Sequence, residues 1–305
     1  MNQKSAPRST RLAVLIPFAI VTLIWGSTWL VIKDQLGVVP PSWSVTYRFL
    51  VAGLTMLVYA AVKRERLALD ARGWRFAAAL GLAQFCLNFN FVYRAESYVT
   101  SGLVAAVFAL LLVPNAILSR IFLGQRMGAQ LLLGSGVAMA GVALLFLHEA
   151  RVAGTGAQAV LAGIGITLLA VCSASTANVM QGTATAKRYP MATMLGMSML
   201  IGAAFDATLA TALTGAPVLD WRIGYVAGVL YLGVFASAVA FTLYFGLIRV
   251  IGPAKAAYSG VVTPVIAMIL STLFEGYRWS WLAGAGAVLA MVGLVIALRA
   301  RRPNR

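Results

Sequence analysis

Charge is what this sequence has least of. Only 10% of its 305 residues are charged, and Asp and Glu together number 8. A water-soluble domain carries about 25% charged residues because its surface must stay hydrated. This chain cannot cover such a surface. Acid pairs for hydrolytic chemistry are equally scarce, since Asp206 is the only carboxylate well inside an apolar run. The single histidine, His148, ends another run and reads as solvated, a lone ligand at best, so no metal site is expected. Neither HExxH nor the phosphate-cradling GxxxxGK[ST] occurs, and Gly154-Thr155-Gly156 follows no strand. No enzyme active site and no cofactor are therefore expected. The two cysteines, Cys86 and Cys172, fall inside apolar runs, which argues against a structural disulfide and for thiols acting as small hydrophobes.

What is present is apolar. Hydrophobic residues make up 61% of the chain, and the mean hydropathy is +0.89. Runs of about 20 such residues cross a bilayer as helices, which satisfy their own backbone groups. Ten runs are expected, near residues 12–32, 43–62, 74–93, 97–119, 129–148, 158–180, 191–214, 224–247, 253–274 and 279–298. Charges, Pro or Gly mark their ends, as in Lys63-Arg64-Glu65-Arg66 and Ile251-Gly252-Pro253, while Arg94 and Glu96 leave only a tight turn between the third and fourth. The first run, though preceded by basic residues, is long enough to span and lacks a convincing small-residue cleavage site. It reads as helix 1, not as a signal peptide. The expected class is an all-α polytopic membrane protein without a separate soluble domain.

The net charge of +16 would suit nucleic acid if it were clustered. Instead 18 of the 24 Lys and Arg residues share one side, made up of the N-terminal tail, the even-numbered loops and the C-terminus. Five (Lys33, Arg94, Arg151, Arg222, Arg278) take the other side, and Arg48 lies within a span. That asymmetry orients a membrane protein with both termini in the cytoplasm. Lipid, not nucleic acid, is the expected partner of these charges.

The chain also repeats itself. Residues 97–148 and 249–298 share a pattern at a shift of 152, with "IFLG" (121–124) over "LFEG" (273–276), Gly134 over Gly286 and Gly141 over Gly293. Two halves, 1–150 and 151–305, then hold five spans each. An odd number of spans inserts the second half upside down, the inverted repeat of secondary transporters, whose substrate sites lie near the membrane midplane.

"WGSTW" (25–29), Pro40-Pro41, "RFLVAG" (48–53), "FLGQR" (122–126) and "VTPVIAMILSTLFEG" (262–276) together resemble the ten-helix EamA-type bacterial permeases of the drug/metabolite transporter superfamily. The resemblance covers essentially the whole chain. Two departures are Leu112 where the family has proline, with Pro114 two residues later, and Gln125 where it has an acid. The resemblance implies a multi-pass carrier in the bacterial inner membrane that moves small metabolites, often exporting amino acids or related compounds. It also implies a cavity lined mainly by helices 1, 3, 4, 6, 8 and 9.

Polar residues within the spans are the candidate site, because a polar group facing hydrocarbon is expensive. Trp25 and Trp29 are candidates for an aromatic cavity wall. Gly26, Ser27 and Thr28 between them have two readings, close helix packing with hydroxyls bonded back to their own helix, or a cavity lining that includes Thr28. Arg48 either snorkels to the headgroups or faces the cavity as a carboxylate ligand. Gln84 and Asn88 are four apart and share a helix face, with Asn90 and Tyr93 on another. Asn178, Tyr244 and Tyr258 complete the substrate-binding candidates, and Gln181 shares the ambiguity of Asn178. Asp206 is read as a solvated carboxylate, a partner for Arg48 or a proton carrier. Pro114 and Pro264 are candidate kink points for gating, Asn115 is expected to repair the backbone beside Pro114, and Lys255 reads as a topology charge. The function expected is alternating-access export of an amphiphilic or aromatic metabolite. A multidrug or cationic-compound exporter, or a channel, is the alternative. The oligomeric state stays open, with a monomer compatible.

Overall fold

The computed structural model describes residues 8–124, 128–152, 156–251, 253–256 and 259–298. Apart from an isolated bridge between Leu36 and Val39, the described residues are helix and connecting turn. The long helices are α1 (Arg8–Gln35), α2 (Pro41–Val62), α3 (Ala71–Ala95), α4 (Ser101–Leu123), α5 (Ala129–Val152), α6 (Ala157–Gln181), α7 (Met191–Thr214), α8 (Ile223–Val250), α9 (Ser259–Phe274) and α10 (Trp281–Leu298). Seven stretches, Leu15–Gln35 of α1 with α2, α3, α4, α6, α7 and α8, are long and apolar enough to cross a membrane. In α5, α9 and α10 the apolar stretches are shorter: Leu132–His148, Val265–Phe274 and Trp281–Gly293. Large apolar side chains point outward, among them Leu23, Val58, Leu133, Leu161 and Ile223. So much exposed apolar surface belongs against lipid tails.

Helix boundaries follow local chemistry. Pro41 occupies the first turn of α2, where a missing N–H costs nothing. Pro40 and Pro190 cap α2 and α7 with matching backbone angles, φ −55 ψ 139 and φ −57 ψ 139. Gly124 ends α4 at φ 66, and Gly276 follows α9 at φ 67, left-handed geometry that glycine adopts without a Cβ clash. A π-helical segment interrupts α3 at Gly81–Asn88, and another interrupts α8 at Tyr231–Val239. Such segments shift the facing of the residues that follow and frequently mark functional sites.

Two helix pairs pack closely, α2 on α7 and α5 on α10. A Cβ on Gly141 would strike the backbone of Ala290 and Gly286, and a Cβ on Gly293 would strike that of Ala138 and Gly134. Adding 152 to 141, 138 and 134 gives 293, 290 and 286, so one set of contacts is the mirror of the other. Gly53 lies against Leu200 and Gly196 against Leu57, a similar exchange across α2 and α7.

Some expectations need correction. His148 is buried, with its ring nitrogens 2.8 Å from the Arg278 carbonyl and 2.9 Å from Ser280 Oγ, because the start of α10 folds over it. Asn115 does not repair the backbone beside Pro114. Its Oδ1 accepts from Asn178 Nδ2 at 3.5 Å, and its own Nδ2 has no partner. Cys86 is buried and Cys172 exposed, and both are free thiols. Tyr258 and Gln125 lie outside the described residues, as do the side chains of Lys255 and Pro264.

Candidate substrate-binding chamber

Trp25 stands midway along the apolar stretch Leu15–Gln35, and Gln84 near the middle of Ala71–Ala95. Both open onto one chamber, which also takes residues from α2, α4, α6, α8 and α9. Trp25, Thr28, Trp29, Arg48, Gln84, Asn88, Asn178 and Tyr244, all sequence candidates, line it. No Asp or Glu does so among the described residues.

The walls are aromatic. Trp25 sits edge-on to Phe241 (5.3 Å) and Tyr244 (4.8 Å), with its Nε1 donating to the Ala236 carbonyl at 3.1 Å. Trp29 faces Phe108 at 5.6 Å, and its Nε1 has no partner. The polar residues between the tryptophans do both jobs read from sequence. Gly26 admits Ile266 of α9, since a Cβ there would meet it at 2.6 Å. Ser27 contacts the Ile24 carbonyl (2.8 Å) and the Tyr231 hydroxyl (2.7 Å), while Thr28 donates to the Trp25 carbonyl (2.8 Å) and also lines the chamber.

Arg48 does not snorkel. It is 1% exposed, Nε donates to Ser237 Oγ at 2.9 Å, and the Phe89 ring lies 4.2 Å from the guanidinium carbon. Aromatic faces of this kind attract a cation when water is excluded. Nη1 has no hydrogen-bond partner. Nor do Gln84 Oε1 and Asn88 Oδ1, which sit on neighbouring turns of α3. Buried donors and acceptors are nearly always paired in native proteins, yet this chamber leaves two donors, Trp29 Nε1 and Arg48 Nη1, and two acceptors, Gln84 Oε1 and Asn88 Oδ1, without a protein partner.

Two candidates fall outside the chamber. Tyr93 is not among the lining residues, although its side chain interacts with that of Arg48, which is. Its hydroxyl donates to Gln35 Oε1 at 2.9 Å. Asp206 is 0% exposed, not solvated, and Oδ1 accepts from Asn90 Nδ2 at 2.6 Å while Asn90 Oδ1 accepts from Ser42. It forms no ion pair with Arg48. The ion pairs among described residues are Arg188–Asp70 and Arg222–Asp220, both between the long helices. Of the kink candidates, Pro114 follows a short 3-10 turn at Ala109–Leu111 in α4.

Where α1 meets α2, the bundle is closed over the chamber. Tyr93 bonds Gln35, Lys33 bonds the Glu96 carbonyl, and Glu275 accepts from Ser101 and Ser271. Beyond this plug lies an open recess bordered by Lys33, Asp34, Tyr231 and Glu275. Sequence reading had taken Glu96 for a loop charge and Glu275 for a repeat marker.

A multi-pass helical bundle around an aromatic chamber with one lining cation, Arg48, suits a small-molecule carrier. The chain belongs to the EamA-like transporter family, whose model matches residues 12–147 and again 161–299, which places it in the drug/metabolite transporter superfamily. Protein PagO of Salmonella typhimurium is 25% identical over 95% of this chain and 94% of its own length. Uncharacterized inner membrane transporter YedA of Escherichia coli is 29% identical over 88% and 86%, and Uncharacterized transporter YvbV of Bacillus subtilis 24% over 96% and 93%. A chain of known crystal structure shares the fold, with a TM-score of 0.68 and 20% identity over 95% of this chain and 96% of that one.

Proposed function

We propose that the protein is a secondary transporter of the bacterial inner membrane that exports amino acids or closely related amphiphilic metabolites by alternating access. All ten long helices cross the bilayer in this reading, as two inverted five-helix halves divided near residue 150, with both termini cytoplasmic. The chamber is then reached from either face in turn. The family is one of transporters, not of enzymes.

One observation carries the substrate class: of the four unpaired polar atoms that the described residues bring to the chamber, Trp29 Nε1, Arg48 Nη1, Gln84 Oε1 and Asn88 Oδ1, the last three suit a zwitterion. Arg48 Nη1 is a donor for a carboxylate, and Gln84 Oε1 and Asn88 Oδ1 are acceptors for an ammonium. Trp25, Trp29, Phe108 and Phe241 leave an apolar space for the rest of the solute. A cationic drug would find no lining carboxylate. A channel is disfavoured by the closed plug where α1 meets α2, which this reading places on the outer side.

Counterflow in proteoliposomes tests the proposal, using each proteinogenic amino acid in labelled form. At least one is expected to exchange faster when the lumen is preloaded with the same compound, and Arg48→Ala to abolish that exchange while the protein still reaches the membrane. Exchange of none of them, or unchanged kinetics in the variant, rejects it.

A further inference from the structure

Glu96 directly follows the α3 span, which ends at Ala95. It is 0% exposed, and neither carboxyl oxygen has a hydrogen-bond partner. An unpaired buried carboxylate is expensive, so such a group holds a proton or waits for a cation. Its position is equally specific. One turn back on α3, Val92 lines the chamber. On its other side Lys33 donates to the Glu96 main-chain carbonyl, and Lys33 borders the recess with Asp34 and Glu275. Glu96 therefore stands in the wall between chamber and recess.

The charged and titratable groups facing it are Lys33 from α1, Arg48 from α2, Tyr93 from its own helix and Glu275 from the end of α9. Glu275 is already satisfied by the Ser101 amide and hydroxyl and by Ser271. The Lys33 ammonium is tethered to a carbonyl, and Tyr93 to Gln35. Only the Glu96 carboxyl can gain or lose a proton without breaking an existing bond in this group. Asp206 also leaves one oxygen, Oδ2, without a partner, but its Oδ1 is held by Asn90 at 2.6 Å, whereas neither Glu96 oxygen is held.

We propose that Glu96, not Asp206, is the proton-binding residue that couples transport to a pH gradient, with Lys33 as the cation that replaces the proton. This rests on the alternating-access reading above. With the plug closed, Glu96 is a neutral acid. When the plug opens, water from the recess takes the proton and the Lys33 ammonium moves from the carbonyl to the carboxylate. Closing requires the proton back.

Two measurements on the full chain in liposomes test this separately. Infrared difference spectra across pH steps should show a protonated-carboxyl band that disappears as pH rises, is missing in Glu96→Gln, returns in Glu96→Asp and survives in Asp206→Asn. Losing the neighbouring cation in Lys33→Met should move its midpoint up, and losing the neighbouring anion in Glu275→Gln should move it down, each by about one unit or more. In transport, Glu96→Gln should keep counterflow of the amino acid identified by the panel but lose its pH-gradient-driven accumulation, whereas Asp206→Asn keeps both. An unchanged band in Glu96→Gln, gradient-driven accumulation that persists, or loss of counterflow not restored by Glu96→Asp overturns the proposal. If no amino acid exchanges at all, the transport reading fails, and the infrared arm still decides whether Glu96 binds the proton.

Discussion

Trp29, Arg48, Gln84 and Asn88 each bring to the chamber a polar atom that the fold leaves unpaired. An unpaired buried donor or acceptor costs about 1–3 kcal/mol, so a solute that pairs it recovers a comparable amount. Gln84→Leu and Asn88→Leu should each weaken the apparent affinity for the exchanged solute by about 3–10-fold, the worth of one hydrogen bond, measured as KM in counterflow. Neither change should lower the amount of folded protein, since neither oxygen supports a neighbour. Unaltered KM in both would remove the amides from the site. The helical period made this pair legible before any coordinates, because residues four apart share a face. Tyr93 does not line the chamber because its hydroxyl is taken by Gln35, a partner that spacing along the chain does not show. Glu96 carried no such signal. An acid just past an apolar run looks like a boundary charge, and only the folding of the α3–α4 turn beneath Lys33 buries it.

Helix packing depends on glycines whose partners are named by position. Gly141 and Gly293 bring α5 and α10 into backbone contact, whereas a Cβ on Gly136 would meet nothing within 4 Å. Gly141→Leu should therefore overpack the pair and cost about 1–3 kcal/mol, read as a lower Tm in detergent, while Gly136→Leu leaves Tm unchanged. Equal behaviour of the two variants would show that the close approach is not what holds the pair. The repeat at a shift of 152 exposed this pair in the sequence. It missed the earlier helices because their correspondence has a different offset: Pro40 matches Pro190, and the π segment opening at Gly81 matches the one opening at Tyr231, both 150 apart. A change of two residues between the helix-2–3 and helix-4–5 registers hides the match from any single shift. The π segments themselves were not foreseeable, since periodicity assumes 3.6 residues per turn.

For the whole molecule, the decisive expectation is orientation. Reporter fusions at the N-terminus, the C-terminus and the α2–α3 loop should all report the cytoplasm, and a fusion between α1 and α2 the opposite face. Termini on opposite faces would sink the inverted-repeat reading and with it the placement of the plug on the outer side. Composition alone determined that the chain lives in lipid as helices, because its few charges cannot hydrate a soluble surface and only closed backbone hydrogen bonding survives in hydrocarbon. The same few charges also named the polar candidates, since each one buried had to have a reason. Which candidates share a chamber, and which are consumed by partners, was decided by tertiary structure alone. One carboxyl oxygen of Asp206 is held by Asn90 and neither of Glu96 is held, although the chain presents both as isolated acids. The difference lies in what other helices bring within about 3 Å of each oxygen, the range over which a hydrogen bond forms, and one-dimensional spacing holds no record of that.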